Sequence, residues 1–343
     1  KVGFVSTNSI TQLEQTGILW NELLNVYKVK IHFAHQTFSW SNEAKGKAAV
    51  HCVIIGFAIF DVKDKFLFEY DNIKEEPHVK KVKNINPYLV EANDLVILKR
   101  RQPICDVSKI SFGSMPNDGG NFLFTDEEKI VFLSLEPIAE KFIKPLLGGF
   151  DFLNGKRKWC LWLKDIKPNE LRDLKEVQKR VENVKNLRLN SSRAATQKLA
   201  AYPTLFGELR QPKDDFILIP LTSSENRKYI PMGFFSSDYI LNNTCSAIDS
   251  ATLFEFGVLQ SEIHMTWVKY TCGRLESRIR YSNEVVYNNY PWPLNPNAKN
   301  KQKVEEKAQK VLDVRAEFPD SSLADLYDPL TMPPKLVKAH QEL

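Results

Sequence analysis

Residues 48–60 restrict what this chain can fold into more than any other stretch. The run Ala-Ala-Val-His-Cys-Val-Ile-Ile-Gly-Phe-Ala-Ile-Phe holds one histidine and no Asp, Glu, Lys, Arg or Pro. A run this apolar is expected to be a strand buried on both faces, as in a sheet covered by helices. The residues before it supply more of such a sheet. Residues 2–5 form a short apolar run, and Ser6-Thr7-Asn8-Ser9 offers side-chain oxygens suited to a helix N-cap. Residues 12–24 then place Leu13, Ile18, Leu19 and Leu23 near helical spacing, and residues 29–33 read as another strand. Residues 1–62 therefore read as the end of an α/β sheet whose beginning is missing.

The texture changes after Asp61. Residues 62–82 are charged and irregular and are expected to form a linker. From 84 to 165, short runs alternate with turn signals at Asn86-Pro87, at residues 115–120 and at Gly148-Gly149. Helices are expected at 126–136 and 170–189, and strands at 158–163, 216–220, 229–235 and 285–287. This reads as a mixed α+β domain over 63–292. A small helical piece follows over 293–343, with one helix at 303–318, an acidic turn and a final helix. No internal repeat is visible.

Composition narrows the class. With 43% hydrophobic and 26% charged residues, the chain can bury a real core. No apolar run reaches the ~18 residues of a membrane span. The start at Lys1 reads as a strand rather than a secretion signal. Both ends look cut, so a fragment is expected. Five cysteines, none in a Cys-x-x-Cys pair, point to reduced thiols in a cytoplasm rather than to zinc or disulfides. The net charge of +5 says less about nucleic acid than the distribution of basic residues does.

Several strings, taken in order, carry a resemblance. They are Phe4-Val5-Ser6-Thr7-Asn8-Ser9-Ile10-Thr11-Gln12, Thr37-Phe38-Ser39-Trp40-Ser41-Asn42-Glu43-Ala44 and residues 49–57, then Gly113-Ser114-Met115-Pro116-Asn117-Asp118-Gly119-Gly120. Residues 157–163, Ser192-Arg193-Ala194-Ala195-Thr196, residues 203–208, Tyr287-Asn288-Asn289-Tyr290-Pro291-Trp292-Pro293 and residues 326–334 continue it. Together they resemble the MmeI-type family, in which an adenine methyltransferase is fused to an endonuclease and one recognition domain serves both. The resemblance implies methyl transfer from S-adenosylmethionine to adenine N6 in double-stranded DNA. It also implies a Gly-containing loop for the methyl donor and an Asn-Pro-Pro-aromatic motif for the target amine, and neither is present. Asn86-Pro87-Tyr88 is one proline short, and Asn289-Tyr290-Pro291-Trp292 has the wrong order. The fragment alone is therefore expected neither to bind the donor tightly nor to methylate DNA.

Candidate site residues follow. Similar methyltransferases support the flipped base with an aromatic in the segment matched by Phe38–Trp40, so Phe38 and Trp40 are candidates. The competing reading is a core aromatic beside a buried strand. Glu276, Arg278 and Arg280 share one face if their segment is extended. Arg can read guanine O6 and N7, and Glu can accept from cytosine N4; salt bridges on a surface strand are the alternative. Asn243 and Thr244, in the polar turn at 242–244, are further base-reading candidates. In the basic stretch 179–198, Arg193, Lys198 and Arg188 are phosphate candidates, against an ordinary solvated helix face. Lys99-Arg100-Arg101 and residues 156–158 are similar. His32 and His35 lack partners at ligand spacing, so no metal is expected. His264 and the Trp159–Trp162 cluster read as packing residues. A stand-alone DNA-binding specificity subunit is the rival to an enzyme fragment, and a protein-interaction scaffold is a third reading.

Overall fold

The apolar run becomes an interior strand of a five-stranded mixed sheet. The computed structural model describes residues 1–40, 50–275 and 277–343. The strands are β1 (Val2–Thr7), β2 (Lys30–Trp40), β3 (Val50–Ala58), β4 (Lys65–Glu69) and β5 (His78–Val82), in the order β1-β3-β2-β4-β5. β2 and β4 are parallel, and the other pairs are antiparallel. Helix α1 (Leu13–Asn25) covers one face with Trp20, which is fully buried beside Val53, Ile55, Phe57 and Leu67. Its indole N–H donates to the Ile10 carbonyl at 2.8 Å, so the ring is buried without an orphaned donor. On the opposite face Gly56 lies under the Phe33 ring; a Cβ there would fall 2.1 Å from Phe33 Cε1. Residues 41–49, which hold part of the second motif and the expected strand start at Ala48, lie outside the described residues.

The stretch 62–82 is not a linker, because it supplies β4 and β5. One of its charges is buried and paired within the sheet. Lys65 is 2% exposed, with its ammonium 2.9 Å from Asp61 and 3.1 Å from the Asn84 side-chain oxygen.

Contacts divide the chain into two units, Lys1–Cys105 with Thr266–Pro291, and Asp106–Met265 with Trp292–Leu343. The division by sequence and the division by contact differ at 63–105 and 266–291, which belong to the first unit, and at 293–343, which belongs to the second. Within the first unit, a π-helical turn, Asn283–Tyr287, replaces the strand expected at 285–287. Ser282 caps it, and the Trp267 indole donates to the Val286 carbonyl at 3.0 Å. The buried Asn289 side chain donates to the carbonyls of Leu98, Glu284 and Val285 and accepts from Arg100 Nε at 2.9 Å. Lys99 bridges Glu14 at 3.0 Å and Glu284 at 2.8 Å.

The second unit is built on two four-stranded sheets. One runs Gly233–Phe235, Phe216–Pro220, Cys245–Asp249, Ile110–Phe112, and the other Ile240–Leu241, Ile143–Leu147, Trp159–Leu161, Leu123–Phe124. The strand expected over 229–235 is confined to its last three residues, since Pro231 offers no N–H to a ladder. The helix expected over 170–189 is broken at Leu174, whose side chain is buried. It restarts at Lys175 because the Glu136 carboxylate accepts from the Glu176 and Val177 amides, at 3.1 and 2.9 Å. Val177, Val181 and Val184 then face the core at helical spacing. Near the C-terminus, helix Ala298–Ala316 starts five residues before the expected one, where Asn297 caps the Asn300 amide at 2.8 Å. It packs on Leu253–Gln260, where Gly257 admits Val304, and on Pro334–Glu342.

Candidate nucleic-acid interface

In the first unit, Phe38 and Trp40 stand at the end of β2, after a register shift between His35 and Phe38. Such a bulge re-aims the side chains that follow it. Phe38 and Trp40 lie 6.1 Å apart between ring centroids, tilted by 47°, and Trp40 is 46% exposed. A core reading does not describe Trp40. Tyr70 is stacked on Phe38 at 5.6 Å and 22°. The Tyr70 hydroxyl is 2.8 Å from His35 Nδ1, and the His35 ring stacks on Phe68 at 4.0 Å. Burial lowers the His35 pKa and raises that of Tyr70, with Glu76 adding to the latter, so both are neutral at neutral pH.

Gly273–Leu275 and Arg278–Arg280 form an antiparallel hairpin in the same unit, pairing Gly273 with Arg280 and Leu275 with Arg278. The run expected to be one extended strand is thus a hairpin, with Arg278 and Arg280 in its second arm. Ile279 is buried between Arg278 and Arg280, so the two arginines share the exposed face. Glu276 lies outside the described residues. The hairpin is anchored where Gly273 meets Leu13; a Cβ there would fall 2.0 Å from a Leu13 methyl.

In the second unit, the basic stretch separates into internal and exposed charges. Arg188 is 1% exposed, and all five of its N–H groups donate to backbone carbonyls. Nε reaches Asn117, Nη1 reaches Leu199 and Tyr202, and Nη2 reaches Pro116 and Leu205, at 2.8 to 3.2 Å. This corrects the phosphate expectation for Arg188, which has no donor left to offer. Arg180 is half-buried, donating to the Asn121 carbonyl and lying 4.3 Å from the centroid of Phe124. Lys179 pairs with Glu176 at 2.6 Å and Lys185 with Glu182 at 3.8 Å. Arg193 and Lys198 are exposed at the two ends of helix Ala194–Lys198.

Asn243 and Thr244 sit in a turn tied by hydrogen bonds to two neighbouring segments. The Asn243 amide donates to the Ser114 carbonyl at 2.9 Å, and Thr244 Oγ1 accepts from the Gly149 amide at 2.9 Å. The Asn243 side chain is half-buried and Thr244 is exposed. His264 is fully buried with Nδ1 2.9 Å from the Leu259 carbonyl, as a packing residue. Trp159 and Trp162 pack against the Phe122–Leu161 core. Among the described residues no cluster of three or more His, Cys, Asp and Glu is placed to hold a metal, and no helix is long and apolar enough to cross a membrane.

Residues 1–69 match the MmeI DNA-methyltransferase domain, 91–294 the MmeI target recognition domain, and 296–343 the MmeI C-terminal domain. The chain belongs to the MmeI family, as the motif strings implied. DNA methyltransferase A of Bacillus subtilis (strain 168) is 42% identical over 344 residues, covering 100% of this chain and 38% of that protein. The structure of the type IIL restriction-modification enzyme MmeI in complex with DNA superposes with a TM-score of 0.93 at 48% identity, covering 99% of this chain and 45% of that one. The chain thus spans less than half the length of these relatives.

Proposed function

We propose that this chain is the sequence-reading part of an S-adenosylmethionine-dependent DNA methyltransferase that modifies adenine N6 in double-stranded DNA. A fused endonuclease and a cytoplasmic location belong to the same reading. The observation that carries it is the match at 48% identity, over 99% of the chain, to an enzyme bound to DNA. The match of residues 1–69 to a methyltransferase domain favours an enzyme over a stand-alone specificity subunit. The described residues contain neither the Gly-containing loop for the donor nor the Asn-Pro-Pro-aromatic motif, so no step through S-adenosylmethionine is assigned to them. Their own work is to dock, to read and to receive. Arg193 and Lys198 would contact phosphates, Arg278 and Arg280 base edges, with Asn243 and Thr244 as further contacts. Phe38 and Trp40 would support the extruded adenine.

Selection of the chain from a pool of random duplex DNA, with salt varied, tests this reading. Enrichment of one short word is expected, with affinity falling steeply as salt rises. Binding without a preferred word, or none at low salt, would remove the recognition role from the isolated chain. Arg278→Ala is expected to cost about 1–3 kcal/mol and to relax preference at one base pair. Selection with the variant reads this directly; an unchanged word rejects the assignment. Arg193→Gln with Lys198→Gln should leave the word intact and flatten the slope of log affinity against log salt by about 1.8. A titration across salt concentrations checks it, and an unchanged slope would leave both residues off the phosphates.

A further inference from the structure

We propose that Tyr70, held by His35, is a positioning residue that fixes Phe38 as a platform for the target base. The inference rests on the reading of Phe38 and Trp40 as the support for that base. Tyr70 follows β4 directly and lies outside both matched stretches, which end at residue 69 and resume at residue 91.

Three contacts determine where its ring stands. The ring is stacked on Phe38 at 5.6 Å and 22°, and Phe38 in turn lies 6.1 Å from the exposed Trp40 ring. Its hydroxyl meets His35 Nδ1 at 2.8 Å, and His35 is itself clamped at 4.0 Å and 7° on Phe68. Beyond it, the Ser39 amide donates to the Ile73 carbonyl at 2.7 Å, tying the backbone after Tyr70 to the strand that carries the platform. The run Phe68, His35, Tyr70, Phe38, Trp40 is therefore continuous from rigid sheet to exposed ring. A bulged strand end is otherwise free to let Phe38 change rotamer. Locking it beforehand removes the cost of ordering the ring when a base arrives. Because His35 and Tyr70 are both neutral, the pair holds a geometry and carries no charge to the base.

The test uses the full-length enzyme with S-adenosylmethionine and a duplex carrying 2-aminopurine at the target adenine. Tyr70→Leu is expected to cut both the fluorescence rise on flipping and the kcat for methylation by about tenfold, as loss of stacking support implies. The KM for DNA should stay within about twofold, since the groove and phosphate contacts are untouched. Tyr70→Phe keeps the ring and loses the hydroxyl, so a fall of about threefold is expected. If Tyr70→Leu does not fold, Tyr70→Phe carries the test through the same two readouts. Normal flipping and kcat in the Tyr70 variants, while Phe38→Leu and Trp40→Leu are impaired, would overturn the role of Tyr70 alone. Normal activity in Phe38→Leu and Trp40→Leu would overturn the platform reading, and this inference with it.

Discussion

Replacing Arg188 with methionine is expected to lower the melting temperature of the second unit by roughly 10 °C. All five N–H groups of this side chain end on carbonyl oxygens, drawn from Pro116, Asn117, Leu199, Tyr202 and Leu205. Methionine fills much of the volume and satisfies none of them. Stranding buried acceptors that a charged donor had held costs about 3–5 kcal/mol, a large share of a domain's net stability. Lysine should fare little better, because three donors on one ammonium cannot span five carbonyls in a plane. Arg193→Met, an exposed site in the same basic stretch, should stay within about 0.5 kcal/mol. Thermal melts of the three variants decide the matter. An Arg188→Met protein that melts normally but loses DNA would return Arg188 to the phosphate backbone.

Acid is expected to unfold the same unit between about pH 6 and pH 4. Burial pushes the His264 pKa down to about 4, against the bond to Leu259 that raises it. Burial first, then the nearby Arg315 and Lys228 charges, push His340 down to about 3. His340 is stacked on Tyr229 at 4.0 Å and meets the Tyr327 hydroxyl at 2.7 Å. That hydroxyl accepts from Arg315, whose guanidinium also donates to the Met232 carbonyl and the Gln260 side-chain oxygen. Both folded pKa values lie below the unfolded value near 6.5, so the unfolded chain takes up protons first as pH falls. The contribution is complete above about 6.5 and is lost on the way down towards 4 and 3. Each histidine costs up to about 1.4 kcal/mol per pH unit in that window. His264→Asn with His340→Gln, which keep a donor and an acceptor respectively, should flatten the slope. Denaturant titrations across this pH range test it; identical slopes in wild type and double variant would place the acid lability elsewhere.

Much of this was legible in the sequence, and the failures have local physical causes. The N-terminal strands and helix, the valine face at 177–184 and the C-terminal helices follow from apolar spacing. The two strands in 62–82 were hidden because Lys65, with Asp61 and Asn84 around it, reads as a solvated charge. The break at Leu174 depends on Glu136, a carboxylate far away in sequence. The candidate site shows the same split. Phe38 and Trp40 were candidates through the resemblance, and the arginine pair through its alternate spacing. Tyr70 was not, since its stacking on Phe38 arises only from the parallel pairing of β2 and β4. Arg188 was misread because a count of positive charges cannot tell a guanidinium facing solvent from one enclosed by carbonyls. The signal available was the density of turn residues at 115–120 and 202–207, where buried carbonyls need a donor.

The return of residues 266–291 to the first unit bears on how such a protein can be recombined. The block matched as the recognition domain runs without interruption from 91 to 294, yet its arginine hairpin is folded onto Leu13 and α1. A chimera that exchanged the whole block between two relatives would bring in a foreign hairpin and keep the native helix beneath it. The misfit would fall at Gly273, where only hydrogen fits, and at the Lys99–Glu14–Glu284 bridge. Exchange of residues 106–265 alone transplants the part of the second unit that lies between the two stretches of the first. The hairpin itself would then be altered most cleanly one side chain at a time, with the helix beneath it left in place.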